Sequence, residues 1–286
     1  MFSPRKTSLA LATAAFAFVA QLIPASAQSK GPVSTCLAVA DNLRGPEMPH
    51  VQFASFKSAE LSQFEVAISY QGHSMYLIET ASGERIITDY AGWTTDGVVP
   101  TIATMNQAHS SHYTNSYDPN VTRAFRGWNN EPGKIAEHNE QINDVIVRNV
   151  TTDLLRYGTV PDGNSIFIFE VAGLCIGHLG HLHHKLSEDH LAKIGRLDVV
   201  MVPVDGGLTL RHDSVRELLD RLRSSVILPM HVRFAGALPQ FLAHLGDDIP
   251  VQTVSEKKLV LSLRNLPKQP TVMLMPGVSY APRSFD

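Results

Sequence analysis

The feature that most constrains this chain is a group of histidines at the end of an apolar run. Residues 175–184 read Cys-Ile-Gly-His-Leu-Gly-His-Leu-His-His, which places four imidazoles within seven residues. The apolar residues before them are typical of a buried β-strand. Neutral imidazole is the commonest metal-binding side chain, so this group directs attention to the other histidines of the chain. The stretch therefore predicts a strand that ends at a metal site.

The N-terminal residues have the pattern of a secretory signal peptide. Arg5 and Lys6 precede an apolar stretch over 9–22, and the small residues Ala-Ser-Ala follow at 25–27. This order predicts cleavage after Ala27 and a periplasmic or secreted mature protein, and the apolar stretch is short for a membrane span. We therefore expect residues 1–27 to be a signal peptide and residues 28–286 to form a single domain that does not span a membrane.

Composition and cysteine content narrow the partners and the compartment. The chain has 286 residues, 18% of them charged, and a formal net charge of -3, so nothing in it favours nucleic acid. We expect a small-molecule substrate, and the sequence leaves the oligomeric state open. Cys36 and Cys175 would meet an oxidising compartment after export and could pair. Alternatively, Cys175 is simply a small apolar residue of a buried strand.

Hydrophobic periodicity predicts an α/β chain that begins with a β-meander. The segment 114–142 is polar and rich in Asn, Gly and Pro, and we interpret it as a surface excursion that shapes a substrate entrance. Trp93 and Trp128 either line that entrance or pin the loop. We expect strands at 64–70, 74–79, 85–89, 98–105, 145–151, 165–171, 174–177, 197–204, 225–229, 251–254, 258–263 and 272–275, and helices near 134–143 and at 187–194, 213–223 and 238–245.

Three groups of histidines lie directly after predicted strands. They are His109 with His112, His178 with its neighbours, and His231. Loops at strand ends gather along one edge of layered α/β folds, so residues distant in sequence can share a site there. Zinc binds imidazole nitrogen and, when catalytic, keeps one position for water. The pattern predicts a metal centre with zinc as the expected ion, although imidazole ligands also suit copper, iron or nickel.

Five short motifs resemble the metallo-β-lactamase-fold hydrolases. In chain order they are Gly-His-Ser-Met-Tyr-Leu-Ile-Glu at 72–79, Ile-Thr-Asp at 87–89, Ile-Gly-His-Leu-Gly at 176–180, Met-Val-Pro-Val at 201–204 and Pro-Met-His at 229–231. The resemblance covers about residues 64–235. It implies a four-layer αββα sandwich, with two mixed β-sheets flanked by helices and one or two metal ions at one edge.

The resemblance also implies a metal-ligand set, and this chain departs from it at several positions. The family's His-x-His-x-Asp-His motif falls on Gln107, His109, Ser111 and His112. The family's later bridging Asp falls on His181, whereas His178 and His231 match the remaining ligands. Two zinc ions about 3.5 Å apart repel by roughly 19 kcal/mol at an effective dielectric constant near 20, and both carboxylates that relieve this repulsion are missing. We therefore expect one bound ion rather than two.

Residues around the implied ligands carry alternative interpretations. The resemblance implies that Asp89 orients a ligand by hydrogen bonding, but Asp89 could equally be a turn residue that closes a strand. Asp205 precedes Gly-Gly and is expected to be a turn residue. His73 either lies beside the site or is a turn histidine. His183 and His184 are expected to face solvent beyond the metal.

Two functions from different classes follow from these residues. The leading hypothesis is an exported hydrolase that uses a metal-activated water on an ester, lactone, amide or phosphoester bond. Ser111 could hydrogen-bond that water but could not act as a base at neutral pH. The alternative is a non-catalytic metal-binding or ligand-binding protein on the same fold.

Overall fold

The computed structural model describes residues 31–37, 61–131 and 133–278, all of which belong to one compact unit. The predicted signal peptide and the predicted domain start at residue 28 lie outside the described residues and stay predictions. Within the described ranges, no helix is long and apolar enough to cross a membrane.

The described residues form two mixed β-sheets with three helices. The strands are β1 (Val66–Gly72), β2 (Met75–Thr80), β3 (Arg85–Ile87), β4 (Ile102–Met105), β5 (Arg123–Arg126), β6 (Asn139–Ile142), β7 (Val145–Leu155), β8 (Thr159–Val171), β9 (Leu174–His178), β10 (Val199–Pro203), β11 (Val226–Met230), β12 (Val251–Thr253), β13 (Leu259–Leu261) and β14 (Thr271–Leu274). The helices are α1 (Glu188–Ile194), α2 (His212–Leu222) and α3 (Ala237–Leu245).

The strand order places the predicted histidine loops on neighbouring strands. One sheet has the order β13-β1-β2-β3-β4-β5, and the other has the order β12-β14-β11-β10-β9-β8-β7-β6. In the second sheet, β9, β10 and β11 are parallel neighbours, and α1 and α2 form the crossovers between them. Because parallel strands end at the same edge of a sheet, the loops after β9 and β11 meet there. The predicted pair of mixed sheets is confirmed.

The main hydrophobic core lies between the sheets and under the helices, and a smaller core covers the other face of the first sheet. Tyr76 and Ile78 of β2 belong to the main core, whereas the alternate residues Met75 and Leu77 belong to the smaller one. Trp128 closes the smaller core and is only 8% exposed, so it pins the loop that carries it. In the described residues this face is therefore covered by loops rather than by a helix.

Two element predictions between residues 114 and 171 are wrong. The segment expected to form a helix near 134–143 contains β6, which pairs with β7 across a tight turn where Asn143 has a φ of 50°. Three of the four side chains of β6 are exposed, so this segment has no apolar face that a helix could pack against the core. The strand β5 was not predicted, because it is a short edge strand that pairs only with β4 among the described strands. The strands β7 and β8 form a much longer hairpin than expected.

A disulfide joins Cys36 to Cys175 of β9, with a Cα–Cα distance of 5.9 Å. The same short N-terminal segment is held by Glu170, whose carboxylate accepts hydrogen bonds from the hydroxyl of Ser34 and the backbone N–H of Thr35. Of the two alternatives that the sequence left open, pairing is confirmed, and an unpaired Cys175 is wrong.

Candidate metal centre

Five histidine side chains converge where strands of both sheets end. They are His73 in the β1–β2 turn, His109 and His112 after β4, His181 after β9, and His231 after β11, and we call them the histidine cluster. One ring nitrogen from each of His73, His109, His112 and His231 lies within 4.8 Å of the others. The ring of His181 is 5.0 Å from that of His231, centroid to centroid. The structure thus assembles most of the predicted ligands and adds His73.

The backbone at the centre is held in an unusual conformation. His73, Asp89 and His231 have φ values of 52°, 46° and 59°, a left-handed region that residues other than glycine occupy infrequently. The carbonyl of His73 accepts hydrogen bonds from the backbone N–H of His231 (2.8 Å) and the hydroxyl of Tyr70 (2.9 Å). These bonds join the β1–β2 turn to the end of β11. Such conformations persist where surrounding contacts fix them, and they are concentrated at functional sites.

Asp89 orients His112. The Nδ1 of His112 lies 2.5 Å from Oδ2 of Asp89, and Oδ1 of Asp89 accepts a hydrogen bond of 2.9 Å from the side chain of Asn106. With Nδ1 donating to the carboxylate, the Nε2 of His112 keeps its lone pair and faces the cluster. The structure therefore shows the hydrogen bond that the resemblance implied for Asp89.

Ser111 acts on His109. Its hydroxyl oxygen lies 2.7 Å from Nδ1 of His109, so an Nδ1–H that donates to Ser111 leaves Nε2 free for a metal. The Nε2 atoms of His109 and His112 are 3.2 Å apart. Two imidazole nitrogens on one tetrahedral zinc ion lie about 3.3 Å apart, because each Zn–N bond is about 2.0–2.1 Å long. The contact shows that Ser111 positions the ring of His109, and the predicted contact of Ser111 with water stays a prediction.

Several buried nitrogens of the cluster have no hydrogen-bond partner. They are Nε2 of His73 and both ring nitrogens of His181 and His231. Buried polar groups are normally hydrogen-bonded, so a concentration of unpaired nitrogens at one place requires an explanation. The carboxylate of Asp205 lies 3.6 Å from Nδ1 of His231 and also accepts hydrogen bonds from the backbone N–H groups of Leu208 and Thr209. Asp205 is therefore the predicted turn residue, and it also flanks the cluster.

Burial keeps the cluster's imidazoles neutral. Desolvation lowers the pKa of His73 to about 2, and it lowers the pKa values of His109 and His181 to about 4. The pKa values of His112 and His231 are also lowered well below their usual value, first by burial and then by neighbouring histidines. A neutral imidazole presents the lone pair that a metal ligand needs. Burial raises the pKa of the Asp89 carboxyl despite its hydrogen bond from Asn106.

Both ring nitrogens of His178, which was predicted as a ligand, contact backbone groups in the structure. Its Nε2 lies 2.8 Å from the carbonyl oxygen of Ser74, and its Nδ1 accepts a hydrogen bond of 3.1 Å from the backbone N–H of Gly180. With one nitrogen donating and the other accepting, the ring has no lone pair left for a metal. His178 instead joins β9 to the β1–β2 turn that carries His73. The sequence correctly placed His178 at the end of its strand. It could not show that the ring nitrogens of His178 contact the backbone of Ser74 and Gly180.

Gly180 and Asn106 are supporting residues that the sequence analysis missed. A Cβ atom on Gly180 would lie 2.5 Å from Oδ1 of Asn164 and 2.6 Å from Nδ2 of Asn106, so only glycine fits between them. The same Asn164 oxygen accepts the backbone N–H of His181 at 2.7 Å. The sequence signal for Asn106 was its position directly after the apolar run of β4. In the structure Asn106 is fully buried, and a buried amide needs hydrogen-bond partners.

The remaining predicted residues lie around the cluster. His184 is satisfied outside it, since its Nε2 accepts the backbone N–H of Asp153 and its Nδ1 lies 2.9 Å from the carbonyl of Lys185. His183 adjoins His184, with ring centroids 5.0 Å apart. The carbonyl of Gln107 lies 3.5 Å from a guanidinium nitrogen of Arg156. Metal ligation by the Gln107 side chain stays a prediction.

The donor set fits a metal ion. It offers neutral imidazole nitrogens that lie within 4.8 Å of one another, and the Asp89 carboxylate on His112 is in the arrangement that commonly orients metal-bound imidazoles. The residues that would hold one ion are His73, His109, His112 and His231, and His181 borders them.

Comparison with known protein families agrees with this geometry. A family profile described as the beta-lactamase superfamily domain matches residues 67–231, more than half of the chain. The chain belongs to the beta-lactamase superfamily. The matched range begins in β1 and ends at His231, so it contains every histidine of the cluster. No match was found among curated proteins.

Two solved structures share the fold of this chain. A metallo-β-lactamase superfamily protein from Thermotoga maritima aligns with a TM-score of 0.51 and 24% identity, over 73% of this chain and 98% of its own. A mutant of the β-hydroxylase CmlA aligns with a TM-score of 0.51 and 9% identity, over 69% of this chain and 54% of its own. At these identities the likeness shows the metallo-β-lactamase fold, and function must be argued from the site.

Proposed function

We propose that this superfamily member is an exported metal-dependent hydrolase that binds one divalent ion, with zinc expected, and cleaves an ester, lactone, amide or phosphoester bond. The observation that carries the proposal is the group of buried, unpaired ring nitrogens on His73, His181 and His231, beside the Nε2 atoms of His109 and His112, which face each other at 3.2 Å. The Thermotoga maritima protein of the same fold is itself described as a proposed zinc-dependent hydrolase.

The charges around the cluster favour a single ion. Asp89 and Asp205 are the buried carboxylates that contact cluster histidines in the described residues, through His112 and His231. Their two negative charges balance one divalent ion, because the imidazoles themselves are neutral. A second ion would lack a bridging carboxylate and would leave a large repulsion uncompensated.

Each group of the centre has a defined task. A metal ion held by these histidines would supply hydroxide from water near neutral pH and would polarise the scissile group. Asp89 holds His112 in the tautomer whose Nε2 carries a lone pair, and Ser111 positions the ring of His109 through Nδ1. His181 has two unpaired ring nitrogens beside the four-histidine group, so its ring can hydrogen-bond and orient the attacking water. The paired turns around His73 and His231 keep these groups fixed.

Export is supported by two separate features. The N-terminal pattern of residues 1–27 is that of a signal peptide. The buried disulfide between Cys36 and Cys175 belongs in an oxidising compartment, such as the periplasm or the extracellular space. A periplasmic or secreted location accounts for both.

A second candidate function is metal binding without hydrolysis. It is favoured by the two carboxylates, because both already have hydrogen-bond partners. Asp89 is hydrogen-bonded to His112 and Asn106. Asp205 accepts the backbone N–H groups of Leu208 and Thr209. Neither is left free as a base inside the cluster. Under this alternative the protein would sequester or sense a metal.

The two functions are separated by measuring metal binding and turnover on the same samples. Zinc, manganese and iron forms of the purified protein are assayed against ester, lactone, β-lactam, amide and phosphodiester substrates, alongside His231→Ala and the control His184→Ala. Hydrolysis that is lost in His231→Ala and kept in His184→Ala supports the hydrolase. Tight metal binding with no turnover on any substrate contradicts it and supports the alternative.

A further inference from the structure

We propose that the rim of the histidine cluster binds an anionic group of the substrate, a carboxylate or phosphate, through Arg233 with Arg156 as a second cation. The inference rests on the proposed function, because it assumes that a substrate is cleaved at the histidine cluster. The anion-binding residues themselves lie outside that cluster. It narrows the substrate to a molecule with an anionic group close to the scissile bond.

Arg233 lies at the cluster and is exposed. It follows His231 by two residues, directly after β11, and its side chain is open to solvent. Its positive charge acts on His73, His109 and His112, three of the four residues of the ligand group. Within the described part of the chain, Arg233 makes neither a hydrogen bond nor an ion pair. An arginine at a pocket rim with no partner is available to bind a carboxylate or phosphate with two hydrogen bonds.

Arg156 reaches the same rim from β7 and β8, strands of the sheet that also contains β11. It lies near the tip of the long β7–β8 hairpin, and one guanidinium nitrogen is 3.5 Å from the carbonyl oxygen of Gln107. Gln107 precedes His109 by two residues, so the hairpin tip stands beside the histidine loop. Among the described residues, no carboxylate forms an ion pair with Arg156. The hairpin's unexpected length is what brings this second cation to the site.

The nearby acids cannot neutralise these arginines. Asp89 is fully buried behind His112, and Asp205 is buried with its oxygens on the turn at residues 208–209 and near His231. Other arginines on the surface do have such partners, for example Arg221 with Glu188 at 2.6 Å. The rim therefore carries the uncompensated positive charge of Arg233 and Arg156.

Exposed apolar side chains lie next to the same residues. Phe234 is the neighbour of Arg233 and is 42% exposed, and Leu208 is 47% exposed in the turn that Asp205 holds. Trp93 packs against Gly72, where a Cβ atom would lie 3.3 Å from its ring, and Gly72 adjoins His73. Trp93 is also 42% exposed. We therefore expect the anionic group to be attached to a hydrocarbon or aromatic part.

The test compares anionic probes with a neutral probe of the same shape. Calorimetry on the zinc-loaded protein measures binding of phenylacetate, phenyl phosphate and the neutral phenylacetamide to the wild type, Arg233→Gln, Arg233→Lys and Arg156→Gln. The matched control is Arg264→Gln, an exposed arginine after β13 whose neighbour Leu263 lies beside Gly173, at the opposite end of β9 from His178.

The proposal expects at least one anion to bind the wild type more tightly than phenylacetamide does. Arg233→Gln then lowers the binding affinity for that anion about tenfold or more, consistent with loss of a charged hydrogen bond. The affinity for phenylacetamide stays unchanged. Arg156→Gln lowers the affinity for the anion by a smaller factor. Arg233→Lys keeps more of the affinity than Arg233→Gln does, and Arg264→Gln leaves it unchanged. Whichever of phenylacetate and phenyl phosphate binds more tightly shows whether the subsite prefers a carboxylate or a phosphate.

Equal anion binding by the wild type and Arg233→Gln overturns the proposal, as does a wild type that binds neither anion better than phenylacetamide. Because the readout is binding, it does not depend on turnover. Anion binding that requires Arg233 in a protein with no hydrolytic activity would keep the anionic subsite and reject the hydrolase.

Discussion

His112 and Asp89 form a fully buried pair, with Nδ1 of His112 2.5 Å from Oδ2 of the carboxylate. The pair gives His112 a fixed tautomer and places a negative charge behind the cluster rather than in it. Asp205 also flanks the cluster, with its carboxylate 3.6 Å from Nδ1 of His231 and no hydrogen bond between them. The carboxylates that the superfamily pattern would place on the metal are missing, and these two flank the ligands instead.

Replacing Asp89 with Asn should weaken metal binding about 10–100-fold, since removing the partner of a metal-bound histidine typically costs that much. Burial raises the pKa of Asp89, so its charge is costly in the metal-free fold. The melting temperature of metal-free Asp89→Asn should therefore not fall. Calorimetric zinc titration and thermal unfolding measure the two effects, and unchanged zinc affinity would contradict the role of Asp89.

The structure reverses the importance of two histidines. His73→Ala should lose most of its zinc affinity, because it removes a member of the four-histidine group. His178→Gln should keep zinc binding but unfold at a lower temperature, because it disturbs the hydrogen bonds to Ser74 and Gly180. Metal content after dialysis and thermal unfolding are measured for both. Loss of zinc from His178→Gln with its fold intact would restore the sequence-based assignment.

The metal-free protein should lose stability as the pH falls from about 7 to about 4. Burial lowers the pKa of His109 and His181 to about 4 and that of His73 to about 2. The unfolded chain takes up protons near an ordinary histidine pKa of about 6.5 while the folded chain does not, so protonation favours unfolding.

The raised pKa of Asp89 acts in the opposite direction, but it is one group against five imidazoles. Urea unfolding of the metal-free protein at several pH values across this range measures the net effect. A midpoint that stays constant or increases towards low pH would show that the cluster is not buried and neutral.

Reducing the disulfide between Cys36 and Cys175 should lower the free energy of unfolding by about 2–5 kcal/mol, since it closes a long loop of 139 residues. Zinc content should remain the same, because both cysteines lie outside the histidine cluster. A Cys36→Ser/Cys175→Ser variant, unfolded in urea beside the oxidised protein, checks the first effect. Loss of zinc from the folded double variant would show that the disulfide supports the cluster.

Much of the centre was predictable because its residues follow strands with clear apolar runs. His109, His112, His181 and His231 all occupy loops that the strand pattern located, and Asp89 forms the hydrogen bond that the resemblance implied. The pattern could also separate His184 from the centre. The two mixed sheets followed from the same runs, as did the three helices of the second sheet.

What the sequence could not predict depends on contacts between distant residues. Whether His73 or His178 faces the cluster is decided by which ring nitrogens meet backbone carbonyls and N–H groups, and no periodicity encodes that. The strand β6 was taken for a helix because its exposed polar residues have no clear period, and pairing with β7 determines its conformation. The reach of Arg156 likewise depends on the full length of the β7–β8 hairpin.

The most direct test of the account is the metal content of the folded protein after loading with zinc and exhaustive dialysis, measured by inductively coupled plasma mass spectrometry. We expect one zinc ion per chain in the wild type and in His184→Ala, and much less than one in His73→Ala and His231→Ala. Two retained ions per chain would contradict the single-ion centre. Equal zinc content in all four proteins would show that the histidine cluster is not the metal site.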